Sequence, residues 1–72
     1  MSNIIHHTYQ YCQDWTRSDN GLLHNEDAPA RIYTSGNTLW CINGRSYSFN
    51  QWCKELNKTS EEILFLKLRY KV

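Results

Sequence analysis

The sequence predicts an α+β domain: a small antiparallel β-meander of about four or five short strands over residues 1–47, followed by a helical hairpin over residues 48–72. Three observations predict it. Up to Tyr47 short runs of β-branched and aromatic residues alternate with Asn-Gly and Ser-Gly-Asn turn signals. From Ser48 the apolar period changes from that of a strand to that of a helix. Ser48 and Thr59 each stand three residues before Gln51 and Glu62, the spacing of a capping box.

Ile4 to Arg17 is rich in Ile, Thr, Tyr and Trp and lacks Gly and Pro, so it reads as strand, with Tyr9, Tyr11 and Trp15 of one parity on a buried face. Asp19-Asn20-Gly21 supplies a turn, and Leu22-Leu23-His24 a short return strand. His24 to Pro29 follows as a fixed loop, because Pro29 locks its own φ and keeps Ala28 out of the helical region. Ala30–Thr34 and Thr38–Ile42 flank the turn Ser35-Gly36-Asn37, and Asn43-Gly44 leads into Arg45-Ser46-Tyr47. Phe49, Trp52, Cys53 and Leu56 fall at i, i+3, i+4 and i+7, one face of a helix that Asn57 can end.

A second helix opens after Thr59 and runs from Glu61 to Tyr70. Two patterns compete there. Ile63, Leu64, Phe65, Leu66, Leu68 and Tyr70 surround a helix on nearly all sides, whereas Leu64, Leu66, Leu68, Tyr70 and Val72 alternate with Lys67, Arg69 and Lys71 as in a strand. The Thr59 cap favours helix. A helix apolar all round needs cover on several sides, and a chain of 72 residues has little to give it, so the leftover face falls to a partner or to another copy.

At 72 residues the chain is one domain, too small for a two-domain enzyme. Eight cations against seven anions leave a net charge of +1, without the basic clustering of a dedicated nucleic-acid binder. No run of 18 apolar residues spans a membrane, and Met1 to His7 has neither the basic start nor the apolar stretch of a signal peptide, so a cytoplasmic protein is expected. Cys12, Cys41 and Cys53 are odd in number and widely spaced, which argues for reduced thiols. Ten residues are Trp, Tyr or Phe, more than so small a core can fully bury, and such side chains are enriched at interface centres.

Asn20-Gly21-Leu22-Leu23-His24 and Asn43-Gly44-Arg45-Ser46-Tyr47 align as Asn-Gly-x-x-aromatic, a sign of a partly repeated strand-turn-strand unit. Gly21-Leu22-Leu23-His24-Asn25-Glu26-Asp27-Ala28-Pro29-Ala30, then Gly36, then Trp40-Cys41-Ile42-Asn43-Gly44, resembles a repeat of tailed-phage and giant-virus proteins written G-x-L-H-R-x-D-G-P-A, G, W-Y-x-N-G and likened to MORN repeats. The resemblance spans about Trp15 to Tyr47 and is carried by His24, Asp27, Pro29, Gly36, Trp40, Asn43 and Gly44. Asn25 stands where that repeat has Arg, and Ala28 where it has Gly. The resemblance implies a phage origin and a small accessory role, and it brings no catalytic residue.

Chemistry finds little footing. Zinc ligands usually come in close pairs, and the only close pair, His6-His7, points opposite ways on a strand. His24 and Asp27 lack an identifiable nucleophile, and the simpler reading is that Asp27 caps the loop while His24 packs on the same turn. Gly21, Gly36 and Gly44 are isolated turn residues, not a phosphate cradle. No enzyme activity, cofactor or metal is expected.

The expected function is a noncatalytic protein-binding module and, as the resemblance implies, a bacteriophage accessory protein that binds and modulates or inhibits a bacterial host protein in the host cytoplasm. The expected contact residues are Trp52, Phe65, Leu66, Leu68 and Tyr70 in the helical hairpin, with Trp40 and Tyr33 on the sheet as second choice. One alternative is a single-stranded nucleic-acid binder that stacks bases on Tyr33, Trp40 and Tyr47 beside Arg17, Arg31 and Arg45, although Asp14, Asp19, Glu26 and Asp27 share that half. Another is a self-associating structural protein, a homodimer.

Overall fold

The computed structural model describes residues 3–72. Five strands, β1 (Ile4–Thr8), β2 (Cys12–Arg17), β3 (Arg31–Tyr33), β4 (Thr38–Ile42) and β5 (Arg45–Tyr47), form one antiparallel sheet in chain order, followed by α1 (Phe49–Glu55) and α2 (Ser60–Tyr70). The α+β meander with a helical hairpin is therefore the fold, and the C-terminal stretch is helix.

Ile4 to Arg17 is two strands, not one. Thr8 pairs with Gln13 and the Tyr9 N–H donates to the Cys12 carbonyl at 2.8 Å, which leaves Gln10 and Tyr11 as the turn. No residue of this hairpin has a positive φ, so it needs no Gly or Asn and carries no sequence signal for a turn. The alternation of faces stops at this turn: Tyr9 and Tyr11 stand 55% and 70% exposed at its tip, while Trp15 is half-buried beneath the stacked ring of His6, 4.5 Å away.

The other two hairpins follow their turn residues. Asn43 and Gly44 have φ of 51° and 81°, the doubly positive pair that a tight two-residue turn requires. Gly36, at φ 97°, closes the longer turn between β3 and β4. The expected return strand Leu22–His24 reduces to a single bridge, Leu23 opposite Thr16.

His24 to Ala30 fills the gap between β2 and β4. Both ends of the loop bond to one residue, the His24 N–H donating to the Trp15 carbonyl at 2.9 Å and the Trp15 N–H to the Ala30 carbonyl at 2.7 Å. On the other side Asn25 and Ala30 donate to the carbonyls of Cys41 and Leu39 at 3.1 and 2.9 Å. The Asn25 side chain closes the loop internally, accepting from the Asp27 N–H at 2.9 Å and donating to the Pro29 carbonyl at 3.2 Å. Asn25, not Asp27, is thus the capping residue, because its amide offers a donor as well as an acceptor.

Ser48 caps α1 by accepting from the Gln51 N–H, but the Gln51 side chain donates to Glu55 at 3.0 Å instead of returning to Ser48, so only half of that capping box forms. Asn57, at φ 54°, ends the helix, with the Lys58 N–H on the Cys53 carbonyl and the Asn57 N–H on the Lys54 carbonyl, a Schellman closure. Thr59 and Glu62 complete the second box in both directions.

The core lies on one face of the sheet. Trp40, Trp52, Cys53 and Leu66 are buried together, with Ile42, Tyr47, Phe49, Leu56, Ile63 and Tyr70 around them. The Trp40 ring meets Phe49, Trp52 and Tyr70 at centroid distances of 4.8, 4.6 and 5.7 Å, tilted or edge-on as ring quadrupoles favour. The Trp52 indole N–H donates to the Asn25 carbonyl at 3.0 Å and ties α1 to the loop.

Candidate functional site

Successive residues of a helix are turned by about 100°, and α2 uses one side of itself for anchorage. Ile63, Leu66 and Tyr70 share that side; Leu66 is buried, Ile63 and Tyr70 half-buried, and the Tyr70 ring stands edge-on to Trp40. Leu64 and Leu68 fall on the opposite side and Phe65 on its flank, at 59%, 73% and 62% exposure. The helix exists because Thr59 caps it and its residues favour helix, not because each apolar side chain finds cover.

Beside Phe65 runs a groove of about 400 Å³ lined by Asp27, Lys58, Glu61, Glu62, Phe65 and Leu66. Two of these residues are apolar, three are acidic, and Lys58 is basic. Lys58 lies 5.3 Å above the Trp52 ring and 3.8 Å from the Glu62 carboxylate. The Thr59 backbone N–H holds Glu62 below the usual carboxylate range, helped by the nearby Lys58. Asp27 and Glu61 take part in no ion pair among the described residues.

The expected contact residues divide. Phe65 and Leu68 are exposed and adjacent on α2. Trp52, Trp40 and Leu66 are core: each is at most 5% exposed, so none can serve as a surface contact. Tyr70 is half-buried as part of the anchor. Tyr33 is exposed, but it pairs with Cys12 on the face of the sheet away from Trp40, apart from α2. Leu64 and the acidic bank of Glu61 and Asp27 belong to the α2 surface as well. Once Ile63, Leu66 and Tyr70 are known as the anchor, the helical period alone exposes Leu64.

His24, Asn43 and Gly44 do come together. His24 is buried, and its Nδ1 accepts from the Asn43 N–H at 2.9 Å; a nitrogen that accepts carries no proton, so Nε2 holds it and faces Glu26 at 3.2 Å. The Gly44 N–H donates to the Leu23 carbonyl at 2.7 Å. His24 therefore fastens the β4–β5 turn to the loop. Asp27 is exposed and is not its partner.

Burial pushes the Cys41 and Cys53 thiols up, away from the nucleophilic thiolate. Among the described residues no three of His, Cys, Asp and Glu gather as metal ligands do. Of the arginines and aromatics named for a stacking platform, Arg31 lies 5.8 Å from the ring of the exposed Tyr33 while holding Asp14 through two bonds of 2.6 and 2.9 Å, Arg17 bonds Asp19 and Asn43, and Trp40 is buried. Among the described residues no helix is long and apolar enough to cross a membrane. Compared with protein-family models, with curated proteins and with solved structures, the chain matches none.

Proposed function

We propose that this chain is a small noncatalytic protein-binding module whose docking face is the outer side of α2, Leu64, Phe65 and Leu68, with the groove beside it. One observation carries this reading: three large apolar side chains stand together, each more than half exposed, on a helix that is capped and anchored from its opposite side. Scattered apolar residues are ordinary on a protein surface, whereas a contiguous cluster with a polar rim is what docking sites are built from. The resemblance of residues 15–47 to a phage repeat supports a phage accessory protein whose partner is a bacterial host protein, bound and modulated in the host cytoplasm.

The test compares the wild type with Leu68→Glu and Phe65→Glu in recovery from nuclease-treated bacterial lysate. The reading expects one stoichiometric protein with the wild type and its loss with either variant at unchanged melting temperature. Equal recovery by all three proteins would move the docking face elsewhere. Recovery that collapses steeply with added salt and returns with single-stranded nucleic acid would favour the nucleic-acid reading.

A further inference from the structure

We propose that the outer side of α2 takes a second copy of this chain, with the two α2 helices antiparallel about a two-fold axis at the level of Leu66. The proposal rests on the reading of that side as a docking face and places a second copy there when no other partner holds it.

Two observations select a second copy. The first is the order of residues along the helix: Glu61 and Glu62 at its start, Leu64, Phe65 and Leu68 in the middle, and Lys67, Arg69 and Lys71 at its end. The helix dipole accounts for acids at the start and bases at the end of a single helix. It does not account for the exposed apolar centre between them. Turned about the two-fold, Leu64 of one copy meets Leu68 of the other, twice, and the two Phe65 rings approach each other beside the axis. The same rotation brings the acidic end of each helix to the basic end of its mate, with Glu61 opposite Lys71. A parallel pair would set like charges together, so the charge order permits the antiparallel pair alone.

The second observation is that charge is left over at both ends, although Glu62 is held by Lys58 and Thr59 and the Arg69 Nε donates to the Tyr70 hydroxyl at 3.3 Å. Among the described residues Glu61 and Asp27 take part in no ion pair, and neither do Lys67, Arg69 or Lys71. The acidic bank formed by Glu61 and Asp27 at the groove lies where the basic end of the other copy would arrive. An isologous interface needs a surface complementary to itself, and α2 has one in both shape of charge and apolar centre.

The contact is small. Eleven helical residues extend about 16 Å, too short for the roughly 1,600 Å² of a standard interface. The association is therefore weak, and a competing partner can displace the second copy.

Sedimentation equilibrium in reducing buffer, from about 10 µM to about 1 mM, tests the proposal in the range where an interface below standard size exchanges. The wild type is expected to pass from monomer to dimer, and Leu68→Glu to remain monomeric with an unchanged circular dichroism spectrum. Glu61→Lys and Lys71→Glu should each weaken the dimer about fivefold or more at low salt, since each reversal acts at two symmetric positions, and the double variant should regain most of the loss. A wild type that stays monomeric overturns the proposal. A dimer that survives Leu68→Glu overturns it too, since the contact then lies elsewhere, and a double swap without rescue overturns the antiparallel arrangement. The docking reading stands or falls separately, on whether Leu68→Glu loses the lysate partner.

Discussion

The loop from His24 to Ala30 and helix α2 border the same tryptophan core, yet they are held in opposite ways. The loop has no regular structure and a polar sequence, but His24, Asn25, Pro29 and Ala30 are all buried. No buried side-chain N or O among the described residues lacks a hydrogen-bond partner. Helix α2 is regular, capped at Thr59 and rich in leucine, and it buries only Leu66. Hydrophobicity does not decide which segment is inside. A polar segment is buried where each donor and acceptor finds a mate, and an apolar one stays out where no layer remains to cover it.

The loop, the sheet and α1 meet at Trp52. Trp52→Ala removes a fully buried ring and orphans the Asn25 carbonyl, a loss of about 3–5 kcal/mol by large-to-small precedent. That is comparable with the whole stability of a domain this small. Circular dichroism and urea titration are expected to show an unfolded or barely folded chain. A cooperative transition near the wild-type midpoint would mean that the loop, not the tryptophan cluster, holds the fold.

Asp14 is the next largest effect. It pairs across the strands with Arg31, whose two hydrogen bonds hold the carboxyl below its ordinary value near 3.8 against the opposing effect of burial. A depressed folded-state value contributes stability that is present above the unfolded value and lost as pH falls through the folded one. Asp14→Asn is expected to cost about 1.5–3 kcal/mol near pH 7, as hydrogen bonds to a charged group do. It should also flatten the fall in wild-type stability below about pH 4. Urea midpoints measured from pH 2 to 7 check both; parallel acid limbs in the two proteins would remove Asp14 from the account of acid stability.

His24 is a buried polar group held in place by its partners. His24→Ala leaves the Asn43 N–H without its acceptor, at about 1–3 kcal/mol, whereas in His24→Asn the amide oxygen occupies the place of Nδ1 and restores most of that bond. Amide exchange at Asn43 should quicken in the alanine variant and stay slow in the asparagine variant. Equal exchange in both would make packing, not the hydrogen bond, the contribution of the ring.

The same physics separates what the sequence makes legible from what it hides. Asn43-Gly44 and Asn57 are legible because positive φ selects these residues, and the Thr59–Glu62 box because its two hydrogen bonds lie within one turn. Gln10-Tyr11 turns without positive φ, so nothing local marks it. Asn25 holds its loop through the sheet and Trp52, contacts 16 and 27 residues away in sequence (Cys41 and Trp52), which no local pattern encodes. On the surface, the apolar excess of α2 is legible, and with it Phe65 and Leu68. Which leucine points inward is not, because a helix apolar on nearly all sides has no preferred face until Tyr70 meets Trp40 and Leu66 joins the core. Trp52 and Trp40 look like interface residues for the same reason that they are core: both environments favour a large, stiff ring with one polar tip.

Leu68→Glu is expected to have the smallest effect on stability and the clearest bearing on α2. The side chain is 73% exposed, so replacing it removes little buried area, and exposed substitutions usually stay within about 0.5 kcal/mol. Glu is also a good helix former, which offsets part of any loss. Its new charge lies one turn after Leu64 and near Lys67, Arg69 and Lys71, a basic neighbourhood that tolerates a carboxylate. Two positions earlier, Leu66→Glu would bury that same charge against Trp40, Trp52 and Cys53, and it should unfold the chain. A melting temperature for Leu68→Glu within a few degrees of wild type, beside an unfolded Leu66→Glu, fixes the boundary between anchor and free face at a single helical turn. If Leu68→Glu also melts the protein, the outer side of α2 is structural, and its three exposed apolar side chains need another explanation.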